Sequence, residues 1–446
     1  MRAIVVGAGI GGLAAALSLR RAGVEVTLVE QARRFSEIGA GIQLAPNATR
    51  ELRRLGVLDP VAALAAHPPH VSFLTWSDGS EICRYALGRE AEEEFGAPYL
   101  VVHRADLHGA LATAVPPEAV RLDTTVVAID QDDRAARVTT ATGERLEADL
   151  VVAADGIRSA ARQWLFGEDS AVFSGTAAYR ALLPAGEVAD LGLPPLAAWL
   201  GPDRHFVHYW VRRGELLNVV AVFTTRAATQ ESWTAKAEPG EPLRAFTDWD
   251  PRVRTVLERA GQVFRYGIHT RTPLTVWNTG RVTLLGDSAH AMVPFQAQGA
   301  AQAILDAAVL GDELTDATPA DVPAALDRYV RRRVPAANGM QSRSARAGRD
   351  FHLPDGPEAE ARNARMAAHA AEHRFMPQAP AWRGTDGTTA HRDPRAAHNR
   401  TPWPSTLLPK SCIPTSSPEA ASGRRSRPWP TRAACPSPSR PRIPVR

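Results

Sequence analysis

The chain opens on Gly7-Ala8-Gly9-Ile10-Gly11-Gly12, a Gly-x-Gly-x-x-Gly run set between two segments of different character. Ahead of it, Ala3-Ile4-Val5-Val6 is a short apolar run, mostly β-branched, of the length of a buried strand. Behind it, Leu13-Ala14-Ala15-Ala16-Leu17-Ser18-Leu19 has the Ala/Leu content of a helix. Strand, glycine turn and helix in this order leave few folds open. Gly7 permits the tight turn, Gly9 a close backbone approach to a pyrophosphate, and Gly12 close packing of helix on strand. The helix N-terminus adds unpaired N–H groups and a partial positive charge. A second apolar run, Val24-Glu25-Val26-Thr27-Leu28-Val29, ends in Glu30, which lies 18 residues beyond Gly12. That is near the spacing of a carboxylate that hydrogen-bonds a ribose hydroxyl. The segment reads as a dinucleotide site, and by itself it leaves NAD and FAD both open.

Two further motifs narrow the choice. Asp155-Gly156-Ile157-Arg158-Ser159-Ala160-Ala161-Arg162 follows the apolar run Leu150-Val151-Val152-Ala153-Ala154. Gly286-Asp287-Ser288-Ala289-His290 follows Val282-Thr283-Leu284-Leu285 and precedes Pro294 and Gln298-Gly299-Ala300. Between the first and second motifs stand Gly39-Ala40-Gly41-Ile42-Gln43-Leu44-Ala45-Pro46-Asn47-Ala48 and His103-Arg104-Ala105-Asp106-Leu107. In this order and at these separations, the set resembles the class A flavoprotein aromatic hydroxylases, of the salicylate hydroxylase and 3-hydroxybenzoate 6-hydroxylase type. The resemblance covers roughly residues 1–375.

The resemblance implies FAD as cofactor, with NADH or NADPH as co-substrate bound transiently, since no second Gly-x-Gly-x-x-Gly exists to form a nicotinamide domain. It implies that Gly7, Gly9, Gly12, Leu13, Glu30, Gly41, Arg104, Val126, Asp155, Gly286, Asp287, Pro294, Gly299 and Ala300 bind the flavin. Arg104 is expected beside the pyrophosphate or ribityl chain, and Asp155 near both FAD and the reduced nicotinamide. Asp287 is expected at a ribityl hydroxyl, and Pro294 with the Gln298-Gly299-Ala300 turn along the flavin ring. His290 belongs to the flavin turn in a structural role. Two positions depart from the pattern. Ile304-Leu305-Asp306 keeps only the second acid of a customary pair, and Tyr209-Trp210 stands where Tyr-Pro is common.

The implied reaction reduces FAD with NAD(P)H and adds O₂ to give a flavin C4a-hydroperoxide, whose distal oxygen attacks a phenolic ring. The phenol, with a pKa near 10, has to lose its proton to become electron-rich, so a base is needed. Histidine suits that task. His205 and His208 both qualify, and on one strand they point to opposite faces, so at most one meets the substrate. Gln298 is a candidate hydrogen-bond partner for substrate or flavin. Arg180, beside Tyr179, could pair with a substrate carboxylate, although an interdomain pair is the plainer reading. The expected function is hydroxylation of a small phenolic or aromatic acid. The alternatives are a tailoring oxygenase or epoxidase of a larger natural product, and an FAD-dependent reductase without oxygen insertion.

The expected fold class is α/β: a Rossmann-like FAD domain of the glutathione-reductase type, carrying an inserted mixed or antiparallel substrate sheet. Segments 1–70, 100–175 and 270–350 are assigned to the FAD domain. Segments 71–99 and 176–269 are assigned to the sheet, with strands such as His205–Val211 and Leu216–Phe223 joined at Gly214. Helices are expected over Ala300–Leu314 and Val322–Arg333, and residues 351–375 form a helical extension.

From Met376 the composition changes. Residues 375–446 hold 14 of the 35 prolines, and 12 basic against 3 acidic residues. Such a stretch is expected to be a disordered Pro/Arg-rich tail, because it buries too little apolar surface to offset its ordering entropy. With only Lys236 and Lys410 among 52 basic residues, the coding DNA is GC-rich, and a frameshift in such DNA would yield this composition. The overall charge of +4 resides there; the body is mildly acidic and gives no support for nucleic-acid binding. No apolar run is long enough for a membrane span, and the N-terminal strand leaves no room for a signal peptide. Cys83, Cys412 and Cys435 show neither disulfide nor metal spacing, so a cytoplasmic monomer or homodimer without metal is expected.

Overall fold

The computed structural model describes residues 1–35, 40–167, 169–226 and 235–384. Gly39 and residues 385–446, with Cys412 and Cys435, lie outside the described residues.

The β-branched opening run forms the strand Arg2–Val6 at the centre of a six-stranded sheet. Parallel neighbours flank it: Glu25–Val29 on one side, Leu150–Ala153 on the other, with Val282–Leu284 beyond. All three glycine-bearing motifs therefore leave the sheet at the carboxyl ends of adjacent parallel strands. That edge is where open α/β sheets gather ligands. The helix Ile10–Arg21 packs against Gly299–Leu314, and Gly311 makes the contact close: a Cβ there would lie 2.9 Å from Ser18 O. A small sheet of Val126–Gln131, Ala136–Thr140 and Arg145–Ala148 covers the other side of the central strands.

The second layer is a seven-stranded sheet. Its order is Phe264–Thr270, Val172–Pro184, Leu216–Thr224, Arg204–Val211, Leu196–Gly201, His70–Thr75 and Glu81–Ala86. All pairs are antiparallel except Leu196–Gly201 with His70–Thr75. Arg212–Gly214 turns the chain between the two central strands, Gly214 at φ +92°. Both faces are covered. On the outer face, Tyr179, Trp199 and Phe206 pack with Phe246 and Trp249 under the helices Glu241–Ala245 and Pro251–Arg259. The inner face looks toward Val293 and Phe295 at the Pro294–Gln296 turn.

The helix expected over Val322–Arg333 runs on to Phe351, passing through Pro335, and a further helix spans Pro357–Glu372. The boundary expected at Met376 falls too early. Met376, Ala379 and Trp382 are buried, and the Trp382 ring meets Phe95 and Tyr99 with centroids 5.3 and 5.5 Å apart. One tryptophan in an apolar pocket holds this turn against the body despite the proline-rich composition around it.

Candidate active site

The glycines of the first turn divide by what demands them. Gly7 has φ +98°, and a Cβ there would meet Ala154 O at 2.5 Å. A Cβ on Gly12 would fall 1.8 Å from Gly7 O. Gly9, in contrast, has nothing within 4 Å of a Cβ, so the space beside it is open. The helix after it has no side-chain cap, so no side chain takes up its first amides. Glu30 accepts the N–H groups of Ala8 and Ala32, each at 2.8 Å, which fixes its carboxylate at the strand end. Leu13 has neither route to a phosphate. Its side chain is wholly buried in the core, and its N–H is spent on Gly9 O at 2.9 Å. Val126 starts the covering sheet, packed beside Ile4, Val6 and Val29.

The second and third motifs are bolted together. Buried Arg162 donates to Ala289 O at 2.8 Å and to Thr272 O at 2.7 Å, while Ser288 Oγ donates to Ala153 O at 2.8 Å. Asp155 Oδ2 accepts the Ala161 N–H at 3.1 Å, and its Oδ1 is buried with no hydrogen-bond partner among the described residues. Arg104 starts the helix Arg104–Ala114, with Arg180 and Asp287 as its charged neighbours; burial and Arg180 lower its pKa, and Asp287 raises it. Gly286 (φ +68°) leads into Asp287, and its N–H bonds Asp306 Oδ2 at 3.0 Å.

Asp306 anchors a buried network. His290 Nε2 meets its Oδ2 at 2.5 Å and Arg333 Nε its Oδ1 at 2.7 Å. Burial alone would raise the Asp306 pKa, but His290 and Arg333 hold it down at about 2. Arg333 also donates to Gln302 Oε1 at 2.7 Å, and Gln302 Nε2 donates to Gln298 Oε1 at 3.3 Å. Asn47 Nδ2 reaches the same oxygen at 3.1 Å. Gln298 is thus held by its carbonyl oxygen ahead of the uncapped helix Gly299–Leu314, its amide nitrogen remaining as a donor. Pro294, Gly299 and Ala300 lie on the same turn and helix start.

The inner sheet face meets the flavin domain at Gly41. Its N–H donates to Asn218 Oδ1 at 2.7 Å, and Tyr209 donates its hydroxyl to Gly41 O at 2.8 Å. A Cβ on Gly41 would meet the Tyr209 ring at 2.1 Å, so this glycine serves sheet packing. His205, Val207 and Tyr209 share that face. The His205 ring sits edge-on to Phe295, centroids 5.2 Å apart, and burial beside His352 pushes its pKa well below the ordinary histidine value.

His208 is on the other face and does not join the site. Trp199 Nε1 donates to its Nδ1 at 3.2 Å, and its Nε2 lies 3.0 Å from Pro194 O. Both ring nitrogens are engaged, and burial, with nearby Arg252, takes its pKa down to about 4 against the opposing bond to Pro194.

Sequence reasoning passed over Arg162, Arg333, Gln302 and Asn218. Asn218 had a signal: it is the one polar residue among Leu216–Phe223, a buried amide that has to find a partner.

The open space at Gly9, the buried Asp155 Oδ1 and the uncapped helix after Gln298 together fit FAD. The comparisons with known proteins agree. A family profile described as FAD binding domain matches residues 1–344. The 3-amino-4-hydroxybenzoate 2-monooxygenase PtmB3 of Streptomyces platensis is 40% identical over 366 residues, 82% of this chain and 92% of that protein. The chain belongs to the FAD-dependent aromatic monooxygenases. The monooxygenase is also 36% identical to the 3-hydroxybenzoate 6-hydroxylase of Klebsiella oxytoca, over 81% of its own length and 91% of that enzyme's. Among solved structures, a salicylate hydroxylase substrate complex superposes with TM-score 0.72 at 27% identity, covering 83% of this chain and 93% of the other. Among the described residues, no helix is long and apolar enough to cross a membrane.

Proposed function

We propose that the monooxygenase hydroxylates a small aromatic acid bearing a phenolic hydroxyl, with NAD(P)H as reductant, and that His205 is the base that ionises the hydroxyl. One observation carries this reading. His205 is buried on the sheet face opposite the Pro294–Gln298 turn, and among the described residues only its Nδ1 is hydrogen-bonded. Nε2 is left to accept from a substrate hydroxyl, and the Gln298 amide is a neutral donor on the opposing wall.

Bound FAD supplies the two-electron chemistry that turns NAD(P)H and O₂ into a hydroxylating oxygen. The glycine turn, Glu30, Arg104, Asp155 and Asp287 would hold it. The protein's further task is to exclude water, and Ala178, Val222, Tyr266, Ile268, Val293 and Phe295 supply the apolar wall for that. Taking the proton leaves a phenolate whose ortho and para carbons are far richer in electrons. Cys83 is a free, buried thiol, in keeping with action in a reducing compartment.

The test is substrate-stimulated NADH and NADPH oxidation across 3-hydroxybenzoate, 3-amino-4-hydroxybenzoate, salicylate and 6-hydroxynicotinate under ¹⁸O₂. A labelled hydroxylated product is expected with at least one. Stimulated oxidation with no label in any product would instead favour the reductase.

A further inference from the structure

A second histidine is in contact with His205, and its ring also meets Phe295, with centroids 6.0 Å apart. His205 Nδ1 and His352 Nε2 are 2.7 Å apart, a full hydrogen bond, and the rings are tilted 40° with centroids 4.9 Å apart. His352 is the residue after the long helix Val322–Phe351. Its backbone carbonyl accepts the Asp203 N–H at 3.1 Å, which pins it to the turn before the strand of His205. Its Nδ1 lies 3.4 Å from Thr224 Oγ1, at the exposed end of the neighbouring strand. The hydrogen-bonded order outward is His205, His352 and then Thr224, an exposed residue.

A buried base needs such a path. His205 is packed against Phe295 and Phe351, and the group that perturbs its ionisation is His352 rather than any carboxylate. An imidazolium left there beside a new phenolate would be held in an apolar surround with no carboxylate of the described residues to stabilise it. Burial lowers the pKa of His352, and among the described residues Asp203 is the charged group that raises it.

We propose that His352 is a positioning residue that relays the substrate proton from His205 to solvent, a proposal that rests on the reading of His205 as base. The substrate O–H bond breaks and an N–H bond forms at His205 Nε2. The proton on His205 Nδ1 passes to His352 Nε2, and the proton on His352 Nδ1 leaves by Thr224 Oγ1 and water. One proton reaches solvent, the phenolate stays, and both rings remain neutral with their tautomers exchanged. Return of a proton along the same path on product release resets them.

The relay is tested by His352→Gln and Thr224→Val, with His205→Gln beside them, using the phenolic acid that stimulates NAD(P)H oxidation most. For H352Q the expected result is a fall in kcat of about tenfold at pH 6, with KM changed less than about twofold, that shrinks as pH rises toward 9 and more substrate arrives ionised. T224V, which leaves both histidines in place, shows the same trend with a smaller loss. In H352A, added imidazole restores part of the rate. The relay is overturned if H352Q and T224V lose nothing, or lose an equal factor at every pH. If H205Q shows the pH-dependent loss and H352Q does not, the relay falls and the base stands. If H205Q shows none, or wild type hydroxylates no phenol, the base and the relay fall together.

Discussion

Arg333 and Asp306 meet wholly inside the protein, Nε to Oδ1 at 2.7 Å, while the other carboxylate oxygen takes His290 Nε2 and the Gly286 N–H. The pair lies at the root of both the Asp287 turn and the chain of amides that ends at Gln298. Replacing Arg333 by Leu strips the carboxylate of its permanent cation. The expected cost is about 3–5 kcal/mol of unfolding free energy, since an uncompensated buried charge remains. Urea denaturation measures it, and the same samples are expected to lose yellow colour on gel filtration as the Gly286 turn relaxes.

The first glycine turn separates folding from binding. Gly9→Val finds free space in the protein, so apo-protein stability is expected to change by less than about 1 kcal/mol. FAD affinity is expected to fall by about tenfold or more, since the side chain occupies room meant for the pyrophosphate. Gly12→Val is expected to fail in both respects, because its Cβ lands on Gly7 O. Flavin-fluorescence titration beside thermal unfolding of the apo-protein distinguishes the two.

His208 sets part of the acid limit of stability. Its pKa is about 4 in the folded protein against 6.5 in the unfolded chain. Between those values the unfolded chain binds more protons, so stability falls as pH drops from 6.5 through about 4. The contribution is roughly 3 kcal/mol for a shift of this size. His208→Asn is expected to be less stable at pH 7 and to show a shallower loss across that window. Urea midpoints at pH 7, 6, 5 and 4 check this, and the kcat profile is expected to keep its shape.

The docked turn at the end of the described chain matters more than its composition suggests. Trp382→Ala is expected to cost about 3–5 kcal/mol, the usual range for a fully buried tryptophan. A chain ending at Gly384 is expected to match the full chain in urea midpoint and FAD content, whereas one ending at Phe375 is expected to fall short in both.

These results show where sequence reading stops. The glycine motifs were legible because each is a local device: strand, turn and helix start sit within a dozen residues. Alternation placed His205 and His208 on opposite faces, but the choice between faces depends on Phe246 and Trp249, some 40 residues away, covering one of them. Asp306 was noted as a lone acid. Its partners, His290 and Arg333, come from two other helices, and no spacing rule connects the three. Trp382 was hidden because an average over a proline-rich stretch dilutes a single large side chain.

The strand Arg204–Val211 has one more consequence, because both of its faces are buried against different layers. Positions 205, 207 and 209 face the inner layer, while 206, 208 and 210 face the outer one. A library confined to position 207, keeping His205 and the Tyr209 that holds Gly41, should explore new substrates at little cost in folding, and one that randomises the whole strand should mostly yield insoluble protein.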